Sequence, residues 1–204
     1  MALRLGCGKA GITGGSGSGK TSVSKMLEKL GVHIIDTDVI AHEIVEPNSD
    51  CLNELVDYFG DSILNDDKTL NRKKLASIAF SDKQKTEALS NITHKYIKAE
   101  VVKDINTTDA ELVGIDGAVI IGSNVEPLCE FIVSVIADKQ SRITRIKTRD
   151  NITDEQAIQR INAQNDDEFY KENSMYIIYN NGDIAQLESD VVGLFNKIKG
   201  NSFE

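Results

Sequence analysis

The sequence predicts an α/β fold in which a doubly wound parallel sheet is the middle of three layers. A phosphate-binding loop at residues 14–21 (GGSGSGKT) stands between a short strand and an amphipathic helix. Short apolar segments then alternate with helical segments, which is typical of a parallel sheet. A helical block at residues 48–107 interrupts this alternation. We therefore expect one α/β domain with a helical insertion.

The loop at residues 14–21 predicts a site for nucleotide phosphates, because the residue types in its pattern are those that phosphate binding requires. Its glycines allow positive φ angles and let backbone N–H groups approach the phosphates closely. Lys20 reaches the β- and γ-phosphates and is expected to face solvent, and the Thr21 hydroxyl is a ligand for Mg²⁺. The helix that follows adds the positive end of its dipole.

The elements up to residue 107 are predicted from local patterns. The first helix carries Val23 and Leu27 on an apolar face. A short helix stops before Glu46-Pro47, because the residue before a proline disfavours helical backbone. The strands are predicted at residues 9–13 and 32–35, and the helices at 39–45, 51–59, 72–80 and 83–105.

The second half of the chain returns to strands. Apolar, β-branched segments at residues 112–116 and 131–136 are predicted as strands of the sheet. A basic helix at residues 139–149 is followed by Thr153-Asp154-Glu155-Gln156, a capping box that opens another helix. The last two elements are a strand at residues 175–179 and a helix at residues 184–198.

Two acidic residues, Asp36 and Asp38, follow the second strand. Because parallel strands present their carboxyl ends at one edge, Gly14 and Asp38 are expected to lie together. A carboxylate here can accept a hydroxyl proton from a phosphoryl acceptor, or bind Mg²⁺ through water. One of the pair can instead cap the next helix. We favour Asp38 for catalysis, since Asp36 lies nearer the buried strand.

Three arginines, Arg142, Arg145 and Arg149, are spaced so that they fall on one face of a helix. Guanidinium groups grouped in this way suit anionic oxygens, which they bind in bidentate geometry. The alternative is a solvated face paired with Asp138 and Asp150.

Composition excludes some partners and compartments. The net charge of −9 disfavours nucleic acid and anionic membranes, and an aromatic content of 5% without Trp disfavours a base-stacking surface. Cys7, Cys51 and Cys129 fit no metal or redox motif and predict thiols in a reducing compartment. No apolar run is long enough to span a bilayer, and the start of the chain, with Arg4, lacks a signal-peptide pattern. We expect a cytoplasmic protein with no nucleic-acid or membrane partner.

With these motifs in place, the chain resembles the dephospho-coenzyme A kinase family from about residue 9 to residue 187. The phosphate loop alone is shared by many families, whereas its combination with the later motifs is far more specific. The similar stretches are residues 12–22 (ITGGSGSGKTS), 34–47 (IIDTDVIAHEIVEP), 145–150 (RIKTRD), 160–164 (RINAQ) and 180–182 (NNG).

The resemblance implies transfer of the ATP γ-phosphoryl group to the ribose 3′-hydroxyl of dephospho-coenzyme A, the last step of coenzyme A biosynthesis. It implies a sheet of the P-loop kinase type with a helical substrate-binding insertion and a helical lid. The implied parts are a nucleotide-binding core (residues 1–47, 108–144 and 174–204), an insertion for the coenzyme A portion (48–107) and a lid (145–173). The enzyme is expected to be a monomer or a weak homo-oligomer.

The resemblance also implies roles for single residues. Asp38 is the general base and acts in catalysis with Lys20 and Arg145, while Thr21 binds Mg²⁺. The acceptor is expected to contact Asp38, His42 and His94. The residues implied to bind ATP are Gly15, Ser16, Gly17, Ser18, Gly19, Lys20, Thr21, Ser22 and Arg149.

The chain differs from the family pattern at several positions. His42 stands where arginine is usual, Lys95 where proline is usual, and Gly122 where an acidic residue closes a Pro-x-Leu-Phe-Glu stretch. We expect Gly122→Glu to raise catalytic efficiency, unless position 122 has a backbone conformation that only glycine tolerates. Two alternative functions are another P-loop kinase, for a nucleoside or nucleotide, and a catalytically weak nucleotide-binding homologue. A GTPase is disfavoured, because no Asn-Lys-x-Asp motif occurs.

Overall fold

The fold is a parallel β-sheet with helices packed around it, which confirms the predicted class. The computed structural model describes residues 7–201. The interpretation of the first residues, including Arg4, therefore lies outside the described part of the chain. The outer ends of the core segments 1–47 and 174–204 lie outside it as well.

Within residues 7–201 five strands form one sheet, and all of them run parallel. They are β1 Gly8–Thr13, β2 His33–Asp36, β3 Leu112–Asp116, β4 Phe131–Ile136 and β5 Tyr176–Tyr179. Their spatial order is β2-β3-β1-β4-β5, so β1 lies at the centre. The predicted bounds of β3 and β4 are confirmed, and the other strands are shifted by a single residue.

The central strand β1 is buried along its whole length, although it contains Lys9. The Lys9 ammonium donates hydrogen bonds to Glu130 Oε1 at 2.7 Å and to the carbonyl oxygen of Cys7. A buried charge is tolerated when it is paired and hydrogen-bonded in this way. A strand that contains a lysine and few large apolar residues can therefore lie at the centre of the sheet.

The described helices alternate with the strands and fill the insertion. They are α1 Lys20–Lys29, α2 Thr37–Glu43, α3 Asp50–Phe59, α4 Arg72–Ala79, α5 Lys83–Thr107, α6 Lys139–Asp150, α7 Asp154–Asn162, α8 Asp167–Glu172 and α9 Ile184–Asn201. Helix α8 has no counterpart among the predicted elements, because its mostly charged sequence gives no apolar periodicity. From residue 7 to residue 201, no helix has both the length and the apolar character needed to cross a bilayer.

Two hydrophobic cores lie on opposite faces of the sheet. One joins α1, through Val23 and Leu27, to α9 and the sheet, and the other joins the insertion helices to the sheet. Along β3, Leu112 belongs to the first core, whereas Val113 and Ile115 belong to the second. This follows from the alternation of side chains along a strand.

The helical insertion packs on the sheet through the second core. Helices α3 and α4 contact the long helix α5, and α2 contacts α5 as well. Gly60 ends α3 with a φ of +83°. Because α2 follows β2 directly, its contact with α5 brings the insertion next to the carboxyl edge of the sheet.

The start of α2 decides which of the two aspartates caps it. The helix begins at Thr37 rather than at residue 39, because Asp36 is its N-cap. The Asp36 side chain accepts hydrogen bonds from the N–H groups of Asp38 at 2.9 Å and Val39 at 3.1 Å. This satisfies two donors that a helix start leaves open. The Asp38 side chain is left for other contacts.

Removing this cap gives a stability test. Asp36→Ala should lower the free energy of unfolding by about 1 kcal/mol, because the two N–H groups lose their acceptor. Asp36→Asn should be nearly neutral, because asparagine caps a helix about as well as aspartate. Urea denaturation measures both. An equal loss in the two variants would contradict the capping role.

Candidate active site

A cavity of about 690 Å³ opens at the carboxyl edge of the sheet, and its volume is usual for a small-molecule site. Its walls come from the phosphate loop, the start of α2, the segment after β3, helix α6 and Gln164. The predicted site residues that line it are Gly15, Ser16, Gly17, Gly19, Lys20, Thr21, Asp38, Arg145 and Arg149. Those outside its lining are Ser18, Ser22, His42 and His94.

Several backbone N–H groups of the phosphate loop have no acceptor within the described residues. They belong to Gly17, Gly19, Lys20 and Thr21. Lys20 and Thr21 open α1, where the first N–H groups have no partner inside the helix. Gly17 and Gly19 have φ angles of +77° and +97°, which glycine adopts without strain. Donors grouped at a helix N-terminus in this way bind anions such as phosphate.

The Lys20 ammonium forms an ion pair with the Asp116 carboxylate instead of facing solvent as expected. The Lys20 side chain is 15% exposed and the Asp116 side chain is 4% exposed. The second carboxylate oxygen of Asp116 accepts a hydrogen bond from Ser24 Oγ at 2.7 Å. Lys20 therefore neutralises a buried acid and lines the cavity at the same time.

Asp116 has no place among the sequence-based candidates, although a signal for it exists. It closes β3, and an acidic residue at the end of a buried parallel strand lies at the ligand-binding edge of the sheet. In the sheet register Asp116 lies beside Ile12 of β1 and Asp36 of β2. The carboxylate therefore stands between the phosphate loop and the start of α2.

Asp38 lines the cavity from the first turn of α2. Desolvation by the surrounding protein raises the pKa of its carboxyl above the ordinary value of 3.8. The positive charge of Lys20 opposes this shift, the negative charges of Asp36 and Asp116 add to it, and His42 opposes it weakly. A carboxylate with a raised pKa is a better proton acceptor.

The three arginines of α6 do not share one environment. Arg145 lines the cavity and its Nη1 donates to two carbonyl oxygens of the phosphate loop, each at 3.2 Å. Arg149 also lines the cavity, is exposed, and lowers the pKa of the Asp150 carboxyl to about 2. Arg142 is buried and is not part of the lining. The expectation of one shared anion-binding face therefore fails for Arg142.

The two candidate histidines lie in different places. His42 is exposed on α2, and its charge reaches Asp38, whose pKa it lowers. His94 lines a second cavity of about 350 Å³, inside the insertion, with mostly apolar walls that include Leu55 and Leu75. The His94 carbonyl accepts a hydrogen bond from Asn124 Nδ2. The structure does not bring His94 to the phosphate loop.

Gly122 lies outside the lining of both cavities, although the sequence resemblance places it near the active site. Its φ is +77°, and its N–H donates to Glu126 Oε2 at 2.5 Å. Among the described residues other than Gly122 and its two chain neighbours, no atom lies within 4 Å of the place where a Cβ would stand. Position 122 therefore requires glycine for its backbone conformation and not for lack of space.

The three cysteines are free thiols, as expected. Burial raises the pKa of the Cys51 thiol to about 11 and that of Cys129 to about 12. A protonated thiol is a poor nucleophile and metal ligand. From residue 7 to residue 201, no three or more His, Cys, Asp or Glu residues group into a metal site.

Comparison with known proteins finds relatives along most of the chain. Residues 9–186 match the family described as dephospho-CoA kinase. The dephospho-CoA kinase of Lactobacillus johnsonii is 34% identical over 92% of this chain and 96% of that protein. The dephospho-CoA kinase of Campylobacter jejuni has a similar structure, with a TM-score of 0.66 and 27% identity over 95% and 98% of the two chains.

A further solved structure supports the fold alone. A protein from Thermus thermophilus matches with a TM-score of 0.81 and 24% identity, over 94% of this chain and 97% of that one. The family resemblance drawn from the motifs is confirmed by these comparisons.

Separating Lys20 from Asp116 tests the ion pair. Lys20→Met should lower the free energy of unfolding by about 3 kcal/mol, because it leaves a buried carboxylate without its counter-charge. Adding Asp116→Asn should restore much of this loss, since the buried charge is then removed. Urea denaturation of the single and double variants measures the coupling. Strictly additive effects would contradict the pair.

Two substitutions at position 122 separate backbone from side-chain requirements. Gly122→Ala and Gly122→Glu should each lower the free energy of unfolding by about 1 kcal/mol, because L residues are strained at this φ. Gly193→Ala is a control, since Gly193 has open space in helix α9 and a helical backbone. If both variants at position 122 are as stable as the unmodified protein and Gly122→Glu is more active, the site lacks a carboxylate there and the backbone explanation is wrong.

Proposed function

This chain belongs to the dephospho-CoA kinase family, and we propose that its 690 Å³ cavity transfers the ATP γ-phosphoryl group to the ribose 3′-hydroxyl of dephospho-CoA. The products are CoA and ADP, in the last step of CoA biosynthesis. One observation carries the assignment: the phosphate loop with Lys20 and the carboxylate of Asp38 line the same cavity. Phosphoryl transfer needs this combination, since it depends on positioning and on charge neutralisation.

The phosphates of ATP are assigned to the loop at residues 14–21. The N–H groups of Gly17 and Gly19 and of the first turn of α1 supply donors, and Lys20 supplies a charge. Lys20 is held by Asp116 in the described structure, so it is already oriented toward this edge of the sheet. This placement supports a role for the Lys20 ammonium in neutralising the negative charge of the transferred γ-phosphoryl group.

The donor set of the cavity also fits Mg²⁺, which prefers oxygen ligands and usually keeps several waters beside one or two carboxylates and the substrate phosphates. Thr21 offers a hydroxyl and Asp38 a carboxylate in the lining of the cavity. We assign Thr21 to the metal directly, with Asp38 as the carboxylate that could bind it through water. When bound with ATP, the ion would neutralise charge on the β- and γ-phosphates.

Asp38 is assigned the role of general base. Its carboxylate lies in the cavity, and its neighbour Asp36, not Asp38, caps α2. The raised pKa favours acceptance of the proton from the 3′-hydroxyl. Asp38 would also orient that hydroxyl toward the γ-phosphorus.

Arg145 and Arg149 are assigned to the phosphates of ATP. Both line the cavity from α6, and guanidinium groups stabilise negative charge that develops in transfer. The proposed lid, residues 145–173, begins within α6, so its first turns are continuous with the core helix. Closure of the later part would exclude water from the site.

The acceptor is assigned to the side of the insertion, residues 48–107. The 350 Å³ cavity there has apolar walls suited to the uncharged arm of the acceptor, and His94 belongs to its lining. Ala41 lines this second cavity, and its neighbour His42 lies one turn from Asp38 on α2. Helix α2 thus connects the proposed acceptor site to the proposed base. The cytoplasmic location and the monomeric or weakly oligomeric state stay predictions.

Purified protein with ATP, Mg²⁺ and a panel of acceptors tests this function. Release of ADP should require dephospho-CoA, and a 3′-deoxy analogue of dephospho-CoA should give no product. Phosphorylation of a nucleoside or nucleotide in preference to dephospho-CoA would favour the first alternative function. ATP binding without transfer to any acceptor would favour the second.

Asp38→Asn tests the base. Turnover should fall by about 100-fold or more while ATP affinity changes little, because the variant keeps the size but loses the proton acceptor. In the unmodified enzyme kcat/KM should rise with pH through the pKa of Asp38, which lies above 3.8, since only the ionised carboxylate accepts a proton. A pH profile from acid to neutral measures this. The same acidic limb in Asp38→Asn would assign it to another group.

A further inference from the structure

Each polar group of Ser16 in the phosphate loop is hydrogen-bonded by a residue that is distant in sequence. Its N–H donates to Gln164 Oε1 at 2.7 Å, and its hydroxyl accepts from Gln164 Nε2 at 3.1 Å. Its carbonyl accepts from Arg142 Nε at 2.9 Å. Arg142 Nη2 also donates to Gln164 Oε1, at 3.4 Å. The side chains of Arg142 and Gln164 therefore bind all three polar groups of Ser16.

Arg142 is 5% exposed, which is rare for an arginine. Its Nη1 lies 3.5 Å from Asp167 Oδ1 at the start of α8. A buried guanidinium needs bonded partners, and those of Arg142 are the loop carbonyl, Gln164 and Asp167. Arg142 is not part of the cavity lining, and its guanidinium contacts the loop through the carbonyl oxygen of Ser16.

Arg142 also explains a glycine that the backbone does not require. Gly15 is not among the residues with positive φ, so its conformation is open to other residues. A Cβ at position 15 would stand 2.4 Å from Arg142 Nη2 and 2.9 Å from its Cζ. At Gly17 a Cβ would stand 2.7 Å from the carbonyl oxygen of Arg142. Both glycines are thus fitted to Arg142.

We propose that Arg142 is a positioning residue that sets the shape of the phosphate loop, with Gln164 as its partner. It acts through Ser16 and Gly15 and does not touch ATP. Loop N–H groups bind phosphate best when they are held in place before the ligand arrives, because no ordering is then required on binding. The proposal rests on the proposed function for the identity of the nucleotide.

Gln164 adds a link between the loop and the proposed lid. It follows α7, inside residues 145–173, and also lines the cavity. Its amide reaches the loop through both the N–H and the hydroxyl of Ser16. Movement of this segment therefore changes the contacts that hold the loop.

A double-mutant cycle between Gly15→Ala and Arg142→Met tests the proposal. Gly15→Ala removes no hydrogen-bonding group but displaces the guanidinium, and we expect it to weaken ATP binding about 10-fold or more, the usual effect of losing a hydrogen bond to a charged group. Arg142→Met should weaken it by a similar factor. The double variant should be no weaker than Arg142→Met, because the space for the Cβ is then free. Equilibrium titration with ATP measures all four proteins, so the result does not depend on the acceptor.

Two controls and a kinetic readout separate positioning from general stability. Gln164→Met should weaken ATP binding, and Gln159→Met, at an exposed position of α7, is its control. Gly193→Ala is the control for Gly15→Ala. In turnover assays Arg142→Met should raise the KM for ATP and leave the KM for dephospho-CoA nearly unchanged, at a temperature where thermal unfolding shows every variant folded. If Arg142→Met does not fold, Arg142→Gln replaces it in the cycle, because glutamine is shorter and lacks the Cζ and Nη2 atoms that a Cβ at position 15 would meet, so the same non-additivity is expected.

Additive effects of the two substitutions in the cycle would overturn the proposal, because they would mean that position 15 acts independently of Arg142. Unchanged ATP affinity in Arg142→Met would overturn it as well. Failure of the proposed function is a separate result, in which the unmodified protein binds ATP but does not phosphorylate dephospho-CoA.

Discussion

The buried ion pair between Lys20 and Asp116 is the contact on which the carboxyl edge of the sheet depends. It joins the first residue of α1 to the last residue of β3, and Ser24 completes the hydrogen bonds of the carboxylate. Both charges also act on the pKa of Asp38, in opposite directions. The phosphate loop and the proposed base are therefore electrostatically coupled through one pair that is largely removed from solvent, where such interactions are strong.

The parallel sheet and its main elements could be predicted from the sequence because their signals are local. The β-branched runs of β3 and β4 and the glycine-rich loop each specify a conformation within a few residues. The meeting of the loop with Asp38 also followed, since parallel strands present their carboxyl ends at one edge. The start of α2 was misplaced, because an aspartate at position 36 can end a strand and cap a helix at once.

What the sequence could not supply was the pairing of residues that lie far apart in the chain. Spacing placed three arginines on one helical face, but it could not show that the phosphate loop covers Arg142 and leaves Arg145 and Arg149 at the cavity. The position of Asp116 at the end of a buried strand is a local signal for the ligand-binding edge, but its ion pair with Lys20, which is 96 positions away, could not be read from spacing. At Gly122 the missing information is local: its positive φ angle explains the glycine, and the sequence does not show that angle.

The central claim is that Asp38 accepts the proton of the acceptor hydroxyl in the cavity that binds ATP. A structure of the protein with dephospho-CoA and a non-hydrolysable ATP analogue tests it most directly, through the distance from the Asp38 carboxylate to the ribose 3′-oxygen. A hydrogen-bond distance of about 2.6–3.2 Å, with the γ-phosphate on the other side of that oxygen, is the result we expect. An acceptor whose 3′-oxygen lies beyond the reach of Asp38, even through one water, would contradict the account.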